Sequence, residues 1–472
     1  MPIQTFETKT PASSEDLFDW HTSRGAFERL CPPWQSVQIE SPAPIENGSR
    51  VLLRLRKGPF GFRCAAEHQD VDPGRGFTDV MTARPFAHWV HRHDFEPDGG
   101  ASVLRDRIDY ELAGGALGRL LAGRQVRRDV ATTFAFRHET TARDLARHRT
   151  FADSPRLRIA VTGASGLVGS NLLPFLTTGG HRVVSLVRGK PALDPALDKP
   201  VRHEMARPDT SPWHPGTGLL SPETLGQVDA VVHLAGENIA GGRWTRARKQ
   251  RIRASRIDGT RNLIRSLGKM ENPPKTVICA SAIGYYGSRG EELLDEESAS
   301  GEGFLAEVCR DWEEAASEAG AHGIRVVMLR FGVILTPAGG ALAKMLPPFR
   351  FGAGGRIGDG RQYMSWVSID DAVGAIHQAL LDERLSGAIN VVAPQAATND
   401  EFTKALGRVL GRPTFFPVPK FAARLLFGQM ADEMLLSSTR VRPTRLEATG
   451  FRFDDTDLDH TLSRLLGKVV MP

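Results

Sequence analysis

The stretch Leu157-Arg158-Ile159-Ala160-Val161-Thr162-Gly163-Ala164-Ser165-Gly166-Leu167-Val168-Gly169-Ser170-Asn171-Leu172-Leu173 decides the fold of most of this chain. Leu157 to Val161 is an apolar run of strand length, and Leu167 to Leu176 has the apolar spacing of a helix. Between them stand Gly163, Gly166 and Gly169. A glycine pattern alone is weak, but directly after a strand and before a helix it has a mechanism. Gly163 permits the tight turn, Gly166 lets the backbone approach a pyrophosphate, and Gly169 lets the helix lie close to the strand. The helix N-terminus offers free N–H groups and the positive end of its dipole. Thr162, Gly163, Ser165, Gly166, Leu167 and Gly169 are therefore the expected phosphate-binding set.

Further along, Val183 to Val187, Ala230 to Leu234, Thr276 to Ala280 and Val326 to Leu329 are apolar runs of strand length. Helical patterns lie between them, around 244–268, 302–319 and 369–383. That alternation predicts an α/β fold, a doubly wound parallel Rossmann sheet over 157–472. From about Pro394 a small C-terminal helical lobe is expected, with Gly411-Arg412-Pro413 and Pro417-Val418-Pro419 at its joints. The substrate lobe is placed at 335–365 and 394–472. The second strand ends Leu186-Val187-Arg188-Gly189-Lys190. An acid there would bind a ribose 2′-hydroxyl, whereas a cation suits a 2′-phosphate. NADP is the expected cofactor, with NAD the alternative and Arg188 the main contact.

Residues 1–150 read as a separate α+β unit, joined by a linker at 149–156. Ser13-Ser14-Glu15-Asp16 has the form of a helix start. Val51, Leu53 and Leu55 alternate with arginines, as do Leu104, Ile108, Tyr110 and Leu112 with charged residues. A long helix is expected from Leu117 to Arg147. This order of helix, antiparallel strands and long helix resembles the START-like helix-grip family. The resemblance implies a curved sheet around its last helix and an apolar ligand between them. Trp89, His91, His93 and Phe95 share one strand face. H-x-H can hold a metal, but spacing places no third ligand, so a cavity-lining face is expected and no metal. Asp106 shares the face of Leu104 and Ile108, where it would orient a ligand or pair with an arginine.

A net charge of +5 over 472 residues is a mild excess. It does not by itself indicate nucleic acid. The basic run from Arg243 to Arg261 has Trp244 as its lone aromatic, a poor platform for bases. A solvated helix face is expected there, and no nucleic acid partner. Cys31, Cys64, Cys279 and Cys309 form no C-x-x-C pair, which suits a reducing cytoplasm. No apolar stretch approaches the ~18 residues of a membrane span, and the polar start from Met1 to Thr10 is unlike a signal peptide.

Several runs recur in a known order. Asp229-Ala230-Val231-Val232-His233-Leu234-Ala235-Gly236 resembles the fourth strand of extended short-chain dehydrogenases/reductases, the NAD(P)-dependent epimerase/dehydratase family. Leu329-Arg330-Phe331-Gly332-Val333 and Trp366-Val367-Ser368-Ile369-Asp370-Asp371 are similar to later elements of that family. With Gly284-Tyr285-Tyr286-Gly287 they point to the atypical subgroup called epimerase family proteins. The resemblance implies that Leu234, Ala235, Gly236 and Arg330 face the cofactor. It also implies a Tyr and a Lys four residues apart on one helix, the Lys stabilising a phenolate. None of Tyr110, Tyr285, Tyr286 and Tyr363 has Lys at that spacing. The helix after Gly303 carries Phe304 or Leu305 at the Tyr place and Val308 or Cys309 at the Lys place. Ser281, Tyr285 and Tyr286 are the remaining catalytic candidates, Glu307 and Arg310 a candidate polar pair, and Cys309 a buried structural residue. Arg330, Lys344 and Arg361 are candidates for anionic or polar groups of a small-molecule substrate. A homodimer is the candidate assembly. The expected function is that of an NADP-binding oxidoreductase or epimerase-like enzyme; the alternative is a non-catalytic NADP-binding sensor.

Overall fold

Alternation builds the N-terminal sheet. The strands are β1 (Ile3–Thr10), β2 (Ser36–Ser41), β3 (Arg50–Lys57), β4 (Phe60–Asp72), β5 (Gly76–Thr82), β6 (Phe86–Asp98) and β7 (Ala101–Leu112). The computed structural model describes residues 2–57, 60–82, 86–188, 209–220 and 225–468. The strands pair antiparallel in the order β1-β7-β6-β5-β4-β3-β2. On β7, Leu104, Asp106, Ile108, Tyr110 and Leu112 all face inward. The helix Ser14–Thr22 starts in a capping box between Ser13 and Asp16. The long helix Gly115–Thr150 closes over the sheet, with Phe134 stacked on Phe6 at 5.1 Å. Among the described residues Asp106 meets no arginine; its partners are His91, His93 and His138.

The second sheet begins with β8 (Arg158–Thr162), β9 (Arg182–Arg188), β10 (Asp209–His214), β11 (Leu219–Leu220), β12 (Ala230–His233) and β13 (Thr276–Ala282). Beyond β14 (Leu293–Leu294) follow β15 (Arg325–Phe331), β16 (Val333–Leu335), β17 (Tyr363–Met364), β18 (Trp366–Ser368), β19 (Gly387–Val391), β20 (Ala397–Thr398) and β21 (Arg440–Val441). The main sheet has the order β11-β10-β9-β8-β12-β13-β15-β19. It is parallel except for the β10–β11 pair. Strand order reverses between β8 and β12, so a crevice opens at their carboxyl ends. Ile159, Val161, Leu172, Phe175 and Val232 form the core beneath it. The strand β10 carries only Trp213 as a large apolar residue, which is why no apolar run announces it. The helix Gly340–Arg350 also escapes sequence reading, since Pro347 and Pro348 lie inside it. Gly189 and Lys190 lie outside the described residues. No helix among the described residues is long and apolar enough to cross a membrane.

A buried ion network joins the two sheets. Arg29 is held by Asp144 at 2.7 Å and by Asp370 at 3.0 Å. Arg464 meets the other oxygen of Asp370 at 2.7 Å. Arg147 bridges Asp371 and Asp454. Its guanidinium fills the space over Gly374, where a Cβ would lie 1.8 Å from Nη1. His148 and His377 pack against Phe175 at the same junction, and His181 packs against His377.

Candidate functional site

The glycine loop crosses the switch point. Gly163 has φ +68°, and a Cβ there would come within 2.9 Å of Ala235 N. At Gly169 a Cβ would lie 2.4 Å from the Gly163 carbonyl oxygen and 2.8 Å from Ala164 Cα. The loop closes on a Gly166 N–H bond to the Gly163 carbonyl at 2.9 Å. Leu167 and Val168 keep their N–H groups without an acceptor among the described residues. They precede the helix Gly169–Thr178, and Ser165 and Gly166 are exposed beside them. This lip of free donors at a helix N-terminus suits a pyrophosphate.

Thr162 points into the fold. Its hydroxyl accepts from Leu234 N and Ala235 N at 3.1 and 3.2 Å and lies 2.7 Å from His233 Nδ1. With both acceptor directions used, its proton goes to His233, whose Nε2–H then donates to Thr260 at 3.1 Å. Burial lowers the His233 pKa to about 4, so the ring is neutral. Thr162 thus shapes the turn Leu234-Ala235-Gly236 that faces the loop. The Arg256 guanidinium lies against Gly236, donates to the Glu237 carbonyl at 2.9 Å and covers the Trp312 ring at 5.1 Å.

Arg188 is exposed at the carboxyl end of β9. Thr162 pairs with Leu186, so Arg188 lies two residues beyond the last residue of β8, on the loop's side of the sheet.

The catalytic candidates join one buried polar chain. Ser281 donates to Glu313 Oε1 at 2.6 Å. Glu313 holds Arg330 through two bonds of 2.8 and 2.7 Å. Arg330 donates to the Tyr286 hydroxyl at 2.9 Å, and Tyr286 donates to Asn390 Oδ1 at 2.7 Å. Tyr286 is fully buried, and burial pushes its hydroxyl up to about 12. Arg330, expected at the cofactor or free for a substrate, is instead buried and committed to Glu313 and Tyr286. Tyr285 differs: it is half-buried, its hydroxyl has no hydrogen-bond partner among the described residues, and the Arg330 guanidinium covers its ring at 3.5 Å.

Phe304, Val308 and Cys309 are buried on the helix Phe304–Ser317. Burial pushes the Cys309 thiol up to about 12, which fits an inert packing residue. Glu307 and Arg310 do not pair; Glu307 meets Arg253 at 3.5 Å, and Arg310 lies nearest Asp311. Arg253 and Arg261 of the basic helix Arg246–Leu267 are likewise answered by Asp311 and Glu318. Lys344 donates to the Ala240 carbonyl, tying the helix Gly340–Arg350 over the turn after β12; Arg361 is exposed. Glu313 and Asn390 were not singled out from sequence, and Arg256 was read only as one cation of the basic run. Glu313 had a readable signal: an acid on the same helix face as the apolar Cys309, Trp312 and Ala316.

The comparisons with known proteins agree with this geometry. Residues 159–392 match the NAD dependent epimerase/dehydratase family. An epimerase family protein of Mycobacterium bovis is 43% identical over 304 residues, covering 64% of this chain and 96% of that protein. The chain belongs to the epimerase/dehydratase family. The human epimerase family protein SDR39U1 is 34% identical over 313 residues, covering 66% of this chain and all of the relative. Its structure with NADPH superposes with a TM-score of 0.58 at 32% identity, again over 66% of this chain and all of that one. Residues 10–136 match the polyketide cyclase / dehydrase and lipid transport family, and 418–465 match a domain of unknown function. A Corynebacterium glutamicum structure described as a nucleoside-diphosphate sugar epimerase covers 98% of this chain and 90% of its own, at 33% identity and a TM-score of 0.77. That epimerase-family relative therefore has both units in a similar arrangement. The family is NAD(P)-binding, and this chain is an atypical member without the Tyr/Lys pair.

Proposed function

We propose that this chain is an NADP-dependent oxidoreductase or epimerase-like enzyme acting on a small molecule, with an N-terminal module for an apolar ligand. The observation that carries the cofactor half is the free N–H lip at Leu167 and Val168 with Arg188 exposed on the neighbouring strand end. A cation there answers a 2′-phosphate, and the human relative's structure contains NADPH. The bound cofactor would supply hydride exchange at its nicotinamide.

The chain's own part is proton handling and orientation. Tyr285 is the candidate proton donor, because its hydroxyl is unengaged while that of Tyr286 is used twice. Glu313 anchors Arg330, which in turn sets a fixed cation against the Tyr285 ring. Ser281, held by Glu313, keeps an acceptor lone pair for a neighbour. The match of residues 10–136 to a family that includes lipid transport supports an apolar ligand for the first unit.

The test is oxidation of NADPH by the full chain against a panel of aldehydes, ketones and quinones. Turnover that falls about 100-fold or more in Tyr285→Phe is expected, in the range for loss of a general acid. A second reading, a protein that binds NADP without turning it over, is favoured by the buried Phe304 and Val308 at the Tyr and Lys places. Tight NADPH binding with no turnover across the panel would select it.

A further inference from the structure

Three adjacent strands of the N-terminal sheet bring ionisable side chains to one buried face. Register sets Asp79 of β5 opposite His91 of β6, and Asp106 of β7 opposite His93. His91 and His93 alternate to the same side. Both are over nine-tenths buried, at 3% and 5% exposure. The H-x-H pair alone lacked a third ligand in sequence; the sheet supplies Asp79.

We propose that Asp79, His91 and His93 form a site for a divalent transition-metal ion of the zinc type. One ligand atom from each lies within 4.8 Å of the others. His93 Nε2 and Asp79 Oδ2 are 3.6 Å apart. Two donors at zinc bond lengths around a tetrahedral centre are about 3.4 Å apart, so little movement is needed. Supporting contacts are in place behind the ligands. His68 Nδ1 lies 2.6 Å from the other Asp79 oxygen, and Asp106 stands 2.8 Å from His93 Nδ1, close enough to accept its N–H once the ring turns into line. Carboxylates and imidazoles behind first ligands orient them in this way.

Hydrogen bonding alone leaves the cluster unsatisfied. His91 Nε2 is 3.1 Å from Asp106 Oδ1 and His93 Nδ1 2.8 Å from it, yet neither nitrogen has hydrogen-bond geometry to a partner. Buried polar atoms close together but misaligned are rare in folded proteins. Among the described residues, no lysine or arginine pairs with Asp79 or Asp106; every ion-pair partner is a histidine. Imidazole with carboxylate is a borderline donor set, suited to zinc and its neighbours. Three protein ligands leave a position for water or an oxygen of a bound molecule. A surface depression between Ser14 and Gly76 has His93 on its wall and gives the ion a way in.

The test uses tag-free full-length protein dialysed first against EDTA, then against zinc chloride, then against buffer. Elemental analysis should find one zinc per chain, and zinc should raise the melting temperature above that of the EDTA-treated form. His91→Gln and Asp79→Asn should each lose the ion while keeping the wild-type far-UV spectrum. Wild-type protein that retains no zinc and melts identically with and without it would overturn the site. So would a folded His91→Gln/His93→Gln variant that still holds one ion.

Discussion

Glu313 is the residue on which the polar chain at the end of β13 depends. It receives Ser281 and the Nε and Nη2 of Arg330, and both it and Arg330 are nearly buried. Glu313→Ala leaves the guanidinium without a counter-charge and should cost about 3–5 kcal/mol, measured by denaturant unfolding. Replacing Tyr286 with Phe deletes a buried hydroxyl and strands Asn390 Oδ1 and one Arg330 N–H. A stability loss of about 1–3 kcal/mol is expected, whereas Tyr285→Phe, which breaks no protein hydrogen bond, should leave the melting temperature unchanged. A Tyr285→Phe melting point that falls as far as that of Tyr286→Phe would contradict the different roles given to the two tyrosines. Sequence pattern located Ser281, Tyr285 and Tyr286 together. It could not tell them apart, because the difference lies in partners contributed by the distant elements that carry Glu313, Arg330 and Asn390.

At the scale of elements, the strand–loop–helix at β8 was legible because three glycines serve three separate steric demands. Gly169→Ala tests one of them. Its Cβ would press on the Gly163 carbonyl oxygen and Ala164 Cα, both backbone atoms that cannot rotate away. The helix Gly169–Thr178 must shift, at roughly 1–3 kcal/mol, and NADPH binding should weaken at least about tenfold, the effect of 1.4 kcal/mol. Calorimetry on the variant checks both. The helix Phe304–Ser317 was legible as an element from its apolar face. Strand β10 was not, since its place in the sheet comes from pairing with β9 and not from an apolar run. The metal-ligand candidates follow the same division. His91 and His93 are a local pattern, but Asp79 joins them only through sheet register.

For the whole molecule, the junction between the sheets makes stability depend on pH. His148, His181 and His377 are buried together, with Arg29, Arg147 and Arg156 nearby. Desolvation lowers His148 to about 3 and His181 to about 4, and His377 lies well below its ordinary 6.5. The unfolded chain takes up these protons near pH 6.5 and the folded chain does not, so stability is lost as pH falls below that value. Each ring can cost up to roughly 2 kcal/mol at about pH 5. Asp371 works in the opposite sense: burial raises it to about 6, so its contribution is present at low pH and lost as pH rises through that value. Three rings outweigh one carboxyl, and the midpoint of urea unfolding should fall between about pH 7 and about pH 5. A midpoint that rises over that range would contradict the neutral buried rings. Asp370 holds Arg29 from the first unit and Arg464 from the last helix. Asp370→Asn should therefore cost about 3–5 kcal/mol and split thermal unfolding into two transitions. The two units were readable from sequence, while the network between them was not, because its arginines look like any others in an arginine-rich chain. The cofactor claim spans all three scales, and one measurement reaches it most directly: paired fluorescence titrations of full-length protein with NADPH and with NADH. NADPH should bind roughly 10- to 100-fold more tightly, the worth of a charge-assisted contact to phosphate, and Arg188→Asp should erase the difference. Equal affinity of the wild-type protein for the two nucleotides, or no binding of either, would contradict it.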